Sequence, residues 1–239
     1  MNADGSDMRQ LTDGEFSATS PAWSPNGKRI AFASTRQAPV GSTTLWVMEA
    51  NGGNLQPLVR HPQTGRAMFG NHPPWSPDGT KIVFDYCINC ERGGGNKEIF
   101  LADLQAGTLD TLTRHSASDR LPTWSPDGKR VAFISDRDYV NADTMKWRKD
   151  LYIVNPDGTS LKRLTDNGFI GLVSWHPQND KIAFAANGLY MYNFPEQSVS
   201  RIKLDLSQEM QPKVRPIKWD IDGEQLLLSV TIENSKSAL

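Results

Sequence analysis

Three observations predict an all-β chain, a β-propeller of four-stranded antiparallel blades. The first is a recurring phrase: Trp23-Ser24-Pro25-Asn26-Gly27-Lys28-Arg29-Ile30-Ala31-Phe32, then Trp75-Ser76-Pro77-Asp78-Gly79-Thr80-Lys81-Ile82-Val83-Phe84, then Trp124-Ser125-Pro126-Asp127-Gly128-Lys129-Arg130-Val131-Ala132-Phe133. Weaker copies begin at Trp175 and Trp219, so five of the seven tryptophans share one register, spaced 52, 49, 51 and 44 residues apart. A period of that size marks a repeat architecture. The second is that apolar residues fall in short β-branched and aromatic runs bounded by Gly, Pro, Asn and Asp. The third is the lack of any stretch with helical periodicity.

Each repeat supplies four strands. The first ends at the tryptophan, behind a short segment such as Ser20-Pro21-Ala22 or Leu121-Pro122-Thr123. Ser-Pro-Asp-Gly follows, with proline pre-setting φ and glycine turning it positive, which joins strands one and two tightly. The second strand is an alternating run, Arg29-Ile30-Ala31-Phe32-Ala33-Ser34 or Arg130-Val131-Ala132-Phe133-Ile134-Ser135. The third follows a variable gap: Leu45-Trp46-Val47-Met48, Ile99-Phe100-Leu101-Ala102, Leu151-Tyr152-Ile153-Val154, Leu189-Tyr190-Met191-Tyr192. The fourth is short and ends in Leu-Thr, as at Leu11-Thr12, Leu112-Thr113 and Leu164-Thr165, after turns such as Asn155-Pro156-Asp157-Gly158. Such a meander buries both faces only when copies pack face to face, and radial packing closes a propeller. The motif's Trp, Phe and Leu side chains are therefore expected in blade-to-blade cores.

The whole chain reads as a single propeller domain, 1–239, with repeats at roughly 17–66, 67–115, 116–168 and 169–206 and partial repeats at 1–16 and 207–239. Two arrangements fit the ends. Five blades close a ring with one blade shared between the termini, or the chain is a slice of a longer propeller. The slice is favoured, because a ring broken inside a strand forfeits ladder hydrogen bonds.

Composition removes some function classes. A net charge of −1 argues against a nucleic-acid footprint. No apolar run approaches the roughly 18 residues of a bilayer span, so no membrane insertion is expected. The opening residues are polar and lack the apolar core of a signal peptide. Cys87 and Cys90 form a lone C-x-x-C, open to a local disulfide, two free thiols, or metal or redox chemistry. A structural zinc site needs four ligands, and the four histidines show no ligand spacing around the pair. Neither a cofactor nor a metal is expected.

The pattern P-x-W-S-P-D-G-x-x-I-A-F, then I-Y-V-x-x-x-D-G, then L-T, resembles the TolB-type propeller repeat over essentially the whole chain. The fourth copy has lost its Asp-Gly, and the fifth keeps Trp219 and Asp222-Gly223 without the Ser-Pro. The resemblance implies a six-bladed propeller with an N-terminal domain, a periplasmic or extracellular location, and a Pal-like lipoprotein as partner within a Tol–Pal envelope system. Similar repeats occur in the propellers of prolyl-oligopeptidase-like serine peptidases, so the repeat specifies fold more sharply than function.

In a four-stranded meander the tight turns gather at one end and the long connections at the other. The long loops are expected at 35–44, 85–98 and 136–150, with inter-blade links at 60–71 and 205–214. Loops of this length on a rigid scaffold are where binding residues concentrate. The candidates for a partner-binding face are Arg36, His72, Asp85, Tyr86, Asp119, Arg120, Asp136, Arg137, Asp138, Trp147, Arg148 and Arg215. Arginines and aromatics dominate interface hot spots, while the competing reading is that the charges pair among themselves at the rim. No G-x-S-x-G elbow and no H-E-x-x-H occurs in the sequence, so the expectation is a non-catalytic scaffold for a protein or peptide partner. A peptidase-gating propeller whose catalytic domain lies outside this chain is the alternative. A carbohydrate-binding or carbohydrate-active propeller comes third.

Overall fold

The computed structural model describes residues 4–37, 43–58, 65–68, 75–88, 96–139, 148–166, 168, 171–203 and 213–231, with only the backbone described at 65–68, 88, 213–217 and 230–231. The chain falls into two compact units, Met1–Arg114 and His115–Leu239. Every described element is a strand, and among the described residues no helix is long and apolar enough to cross a membrane.

The first unit holds two antiparallel meanders. One is β1 (Ala18–Trp23), β2 (Arg29–Ser34), β3 (Thr44–Glu49) and β4 (Gln56–Pro57); the other is β5 (Gly65–Met68), β6 (Lys81–Ile88), β7 (Asn96–Asp103) and β8 (Thr108–Thr111). Period-two alternation sends Ile30 and Phe32 to one face of β2 and Ala31 to the other. Ala31, Leu45 and Val47 meet Trp75, Ile82, Phe84, Tyr86, Phe100 and Ala102 in the core between the two sheets. On the outer face Ile30, Phe32, Trp46 and Met48 are covered by Leu11 and Leu55. Each large apolar side chain buried this way contributes about 1.5–3 kcal/mol.

The second unit holds β9 (Asp119–Trp124), β10 (Val131–Ser135), β11 (Asp150–Val154) and β12 (Lys162–Arg163), then β13 (Val173–Trp175), β14 (Lys181–Ala185), β15 (Leu189–Asn193) and β16 (Ser198–Ile202). A two-stranded sheet, β17 (Lys213–Trp219) and β18 (Leu226–Thr231), follows. Ala132, Ile134, Leu151, Ile153 and Leu164 of one four-stranded sheet pack against Trp175, Ile182, Phe184 and Tyr192 of the next.

The β1–β2 turn shows why the phrase recurs. Ser24 Oγ donates to Asn26 Oδ1 at 2.8 Å and accepts the Arg29 N–H at 2.9 Å, while the Gly27 N–H donates to Ser24 O. Ser76 and Ser125 repeat these bonds with Asp78 and Asp127. The turn needs a positive φ at its glycine, +67° at Gly27 and +69° at Gly79 and Gly128. The degenerate copies keep the geometry with other chemistry. Asn179 adopts φ +64° in the glycine's place, as asparagine tolerates, and Asp220 Oδ1 takes the serine's part by accepting the Gln225 N–H at 3.0 Å.

Within each unit the phrase also joins sheet to sheet. The Trp75 indole N–H donates to Ala22 O at 3.1 Å, and Trp175 donates to Thr123 O at 3.3 Å. An arginine from the earlier sheet lies over each indole, Arg29 on Trp75 at 5.2 Å and Arg130 on Trp175 at 5.0 Å. The same guanidiniums donate to the later sheet's turn, at Gly79 O (2.8 Å) and Asn179 O (2.9 Å). Indole, cation and turn carbonyl thus form one joint, with the cation–π part contributing about 0.5–2 kcal/mol.

Candidate functional site

In the second unit, the start of β9, the ends of β10 and β12 and the start of β11 converge at the loop-bearing end of their sheet. A register shift between β9 and β10 accompanies a positive φ at Leu121, +52°, and β1 has the same irregularity with Ser20 at +53°. A bulge of this kind re-aims the residues beyond it, here Asp119 and Arg120. Asp119 is fully buried, and Arg137 Nη2 donates to both its carboxylate oxygens at 3.1 and 2.9 Å. Arg137 is fixed further by its Nε–H on Ser135 Oγ (3.0 Å) and by the Phe133 and Tyr152 rings beneath its guanidinium. Asp136 Oδ1 accepts the Ser118 N–H at 2.8 Å, and Arg120 donates to Ser118 Oγ at 3.3 Å.

Beside them lies a second network. Asp150, also fully buried, accepts from Thr165 Oγ1 (3.0 Å), the Gly168 N–H (3.0 Å), Tyr139 Oη (2.7 Å) and Arg163 Nη2 (2.6 Å). Arg163 also pairs with Asp138 at 2.8 Å and donates to Thr165 O at 2.7 Å. Arg148 lies over the Tyr139 ring at 5.0 Å. Gly168, at φ +61°, has no room for a side chain, since a Cβ there would sit 2.3 Å from Arg148 Nε. Burial raises the Tyr152 hydroxyl pKa well above its usual value, and its hydrogen bond to Asp138 adds to this. Burial likewise pushes Tyr139 up, reinforced by its bond to Asp150. Both phenols therefore stay protonated donors at neutral pH. Three carboxylates (Asp119, Asp138, Asp150) and three guanidiniums (Arg137, Arg148, Arg163) balance, so the cluster fixes the loop bases without a large field of one sign.

The first unit has its own version. Lys97 Nζ meets the buried Asp85 at 2.9 Å. Arg36 pairs with Asp13 and lies over Phe16 at 4.7 Å and Trp46 at 5.8 Å. Strand β6 runs on to Ile88 and β7 starts at Asn96, so the connection expected from residue 85 begins later. Tyr86, 5 % exposed, lies in the inter-sheet core with its ring edge-on to Phe100 at 5.6 Å. His72, Trp147 and Cys90 lie outside the described residues, and Arg215 is placed on β17 by its backbone alone, paired with Ser229. Cys87 is disulfide-bonded, and the chain's one other cysteine is Cys90.

A recurrent lock escaped the sequence reading. Glu98 accepts from Thr113 Oγ1 at 2.8 Å, and that hydroxyl accepts the Ile99 N–H at 2.9 Å. Asp150, Thr165 and Leu151 repeat the arrangement in the second unit at 3.0 Å for both bonds. Lys-acid-aliphatic-aromatic (Lys97 to Phe100, Lys149 to Tyr152), with Leu-Thr closing fifteen residues after the acid, was the available signal.

These units are built of β-propeller blades, and the solved structures that resemble the chain are consistent with that class. TolB from Acinetobacter baumannii aligns with a TM-score of 0.61 at 22 % identity over 96 % of this chain and 55 % of that one. An oligogalacturonate lyase in complex with manganese aligns at 0.68 and 13 % identity, over 95 % of this chain and 63 % of the lyase. Likeness at such identities speaks to fold alone. No protein-family model matches. Among curated proteins, a TolB homolog of Chlorobium chlorochromatii is 30 % identical over 140 residues, 56 % of this chain and 27 % of that protein. The uncharacterized peptidase YuxL of Bacillus subtilis is 26 % identical over 175 residues, 60 % of this chain and 25 % of the peptidase. The chain thus spans about a quarter of the length of either relative. Over 56 % of its length the chain is thus similar in sequence to a TolB homolog, and its fold is that of a TolB-type β-propeller.

Proposed function

We propose that this chain is a non-catalytic propeller scaffold that binds a protein or peptide segment through the loop-bearing end of its blades. The observation that carries the reading is the pair of fully buried carboxylates, Asp119 and Asp150, each bonded to residues of the loop bases. A loop end held from below loses little conformational freedom on docking, which favours tight recognition of a partner. The likeness to TolB proteins supports a protein partner in the bacterial envelope, a Pal-like lipoprotein in the TolB-type case. The test is calorimetric titration of a Pal-like lipoprotein into the chain. Charge reversal at the loop end, Arg120→Glu or Arg148→Glu, is expected to weaken binding about tenfold or more, as removing an arginine hot spot does. Lys28→Glu on the tight-turn end should leave it unchanged. Equal affinities for all three variants would count against the loop-end site.

The resemblance to a peptidase favours one other reading, a substrate-gating propeller attached to a serine hydrolase. Assaying the complete gene product for hydrolysis of short peptide esters separates the two. Turnover abolished by a serine-directed inhibitor would support gating, and inertness would support the scaffold.

A further inference from the structure

The joint on Trp219 is built from different parts. Trp75 and Trp175 each donate to a carbonyl of the preceding sheet, under an arginine that also reaches the turn carbonyl, Gly79 O or Asn179 O. The Trp219 indole nitrogen is buried and meets no acceptor among the described residues. A lysine stands in the arginine's place, and Lys181 Nζ lies 3.5 Å from Asp180 Oδ2 of its own sheet. The corresponding turn carbonyl, Gly223 O, is instead met by His176 Nε2 at 3.0 Å. His176 occupies the position that is Ser24, Ser76 and Ser125 in the first three copies, and its ring stands edge-on to the Trp219 indole with centroids 4.8 Å apart.

Both ring nitrogens face acceptors. Nε2 faces the Gly223 carbonyl, and Nδ1 lies 2.8 Å from Asp180 Oδ1. A neutral imidazole carries one proton, so either tautomer leaves a lone pair against an oxygen at one of these contacts. The imidazolium donates to both. The Gln178 N–H approaches Nδ1 only to 3.4 Å, too far to compete with the carboxylate. His176 is 5 % exposed, so both contacts are made away from bulk water. Other charges surround the ring at a remove. Asp127 and Arg130 of the preceding sheet bond Asn179 of the same turn. The facing turn carries Asp220, whose Oδ1 accepts the Gln225 N–H, with Lys218, Asp222 and Glu224 exposed. Strands β13, β15 and β18 contain no charged residue.

We propose that His176 is a proton-controlled tie between the β13–β16 sheet and the β17–β18 hairpin. Arginine keeps its charge at every physiological pH, whereas a histidine side chain changes charge between about pH 5 and 8. Protonated, the ring bridges Asp180 to Gly223 O. A neutral ring either keeps Asp180 and turns a lone pair on Gly223 O, or keeps Gly223 O through the weaker bond of an uncharged donor. The tied state holds a proton that the loosened state gives up, so the hold on the hairpin weakens as pH rises. A two-stranded hairpin is marginal by itself, and its amides are protected only while it is held.

The test is hydrogen exchange on the full chain from about pH 5.5 to about pH 8, each amide's rate being divided by its unstructured-chain rate at that pH, beside nitrogen NMR of the His176 ring. Both ring nitrogens should carry protons at the acid end. Protection of the β17 and β18 amides should fall about tenfold toward the alkaline end, the difference between a charge-assisted and a neutral bond, while the β9–β12 amides keep theirs. His176→Ser restores the residue of the other copies and should show no such fall, whatever its absolute level of protection. Level protection of the hairpin in the wild type would overturn the proposal, as would a neutral ring at the acid end. An equal fall in His176→Ser would overturn it too, by assigning the effect to another group such as His115.

Discussion

Replacing Asp150 with alanine takes one carboxylate from beneath the loop end of the β9–β12 sheet. Four donors converge on it, from Thr165, Gly168, Tyr139 and Arg163. Thr165 is 5 % exposed and Gly168 is buried, so neither donor turns to water, and a stranded buried donor costs about 1–3 kcal/mol. The Arg163 side chain is 35 % exposed and keeps Asp138 at 2.8 Å, so its lost pair is discounted for solvent to below about 1 kcal/mol. The sum is about 2–7 kcal/mol, which brackets the roughly 3–5 kcal/mol expected when a buried charged partner is removed from one side. Asp150→Asn keeps one acceptor oxygen and should cost less. Urea unfolding followed by tryptophan fluorescence gives the total, and hydrogen exchange at the Leu151 and Gly168 amides localises it, since two units need not unfold together. A loss below about 1 kcal/mol, with both amides still protected, would refute the reasoning.

Two further predictions separate backbone strain from packing and fix an acid dependence. Gly27→Ala and Gly223→Ala both place an L side chain at positive φ (+67° and +77°), but only the second brings a Cβ within 2.3 Å of His176 Nε2. Unfolding midpoints should show a loss of about 1–2 kcal/mol for Gly27→Ala and roughly twice that for Gly223→Ala. Equal losses would place the whole effect in φ. The Asp103 carboxyl is held at about 2, below its ordinary 3.8, first by the Ala106 N–H and then by Lys81. Because the folded value is the depressed one, its contribution is complete above the unfolded pKa and fades as pH falls from 3.8 toward 2. Midpoint-against-pH curves of the wild type and Asp103→Asn should therefore converge across that interval, and a constant gap would contradict the assignment.

The tryptophan register and the Pro-Asp-Gly turns were enough to expect four-stranded meanders, because both are local: turn chemistry is written in consecutive residues. What the sequence hid was mostly cross-strand. Arg29 and Arg130 follow a lysine at the start of a strand and read as solvent-facing, and only the next blade's arrival turns them onto Trp75 and Trp175. The acid–threonine lock joins residues fifteen apart through the pairing of strands three and four, which no window of consecutive residues displays. Tyr86 was legible and was missed. It is in phase with Ile82 and Phe84, so the period of two placed it inward, but Asp85 was read as the start of a loop. That aspartate stays within the strand because Lys97 meets its charge from β7.

A double-mutant cycle on Arg130 and Trp175 tests most directly whether the repeat phrase acts as a joint between blades. Arg130→Met keeps the aliphatic stem, and Trp175→Phe keeps an aromatic while removing the indole donor to Thr123. The predicted coupling is about 1 kcal/mol, the scale of a half-buried cation–π contact. Additivity of the two single variants within about 0.3 kcal/mol would show that the residues stabilise their own sheets independently, and would contradict the joint.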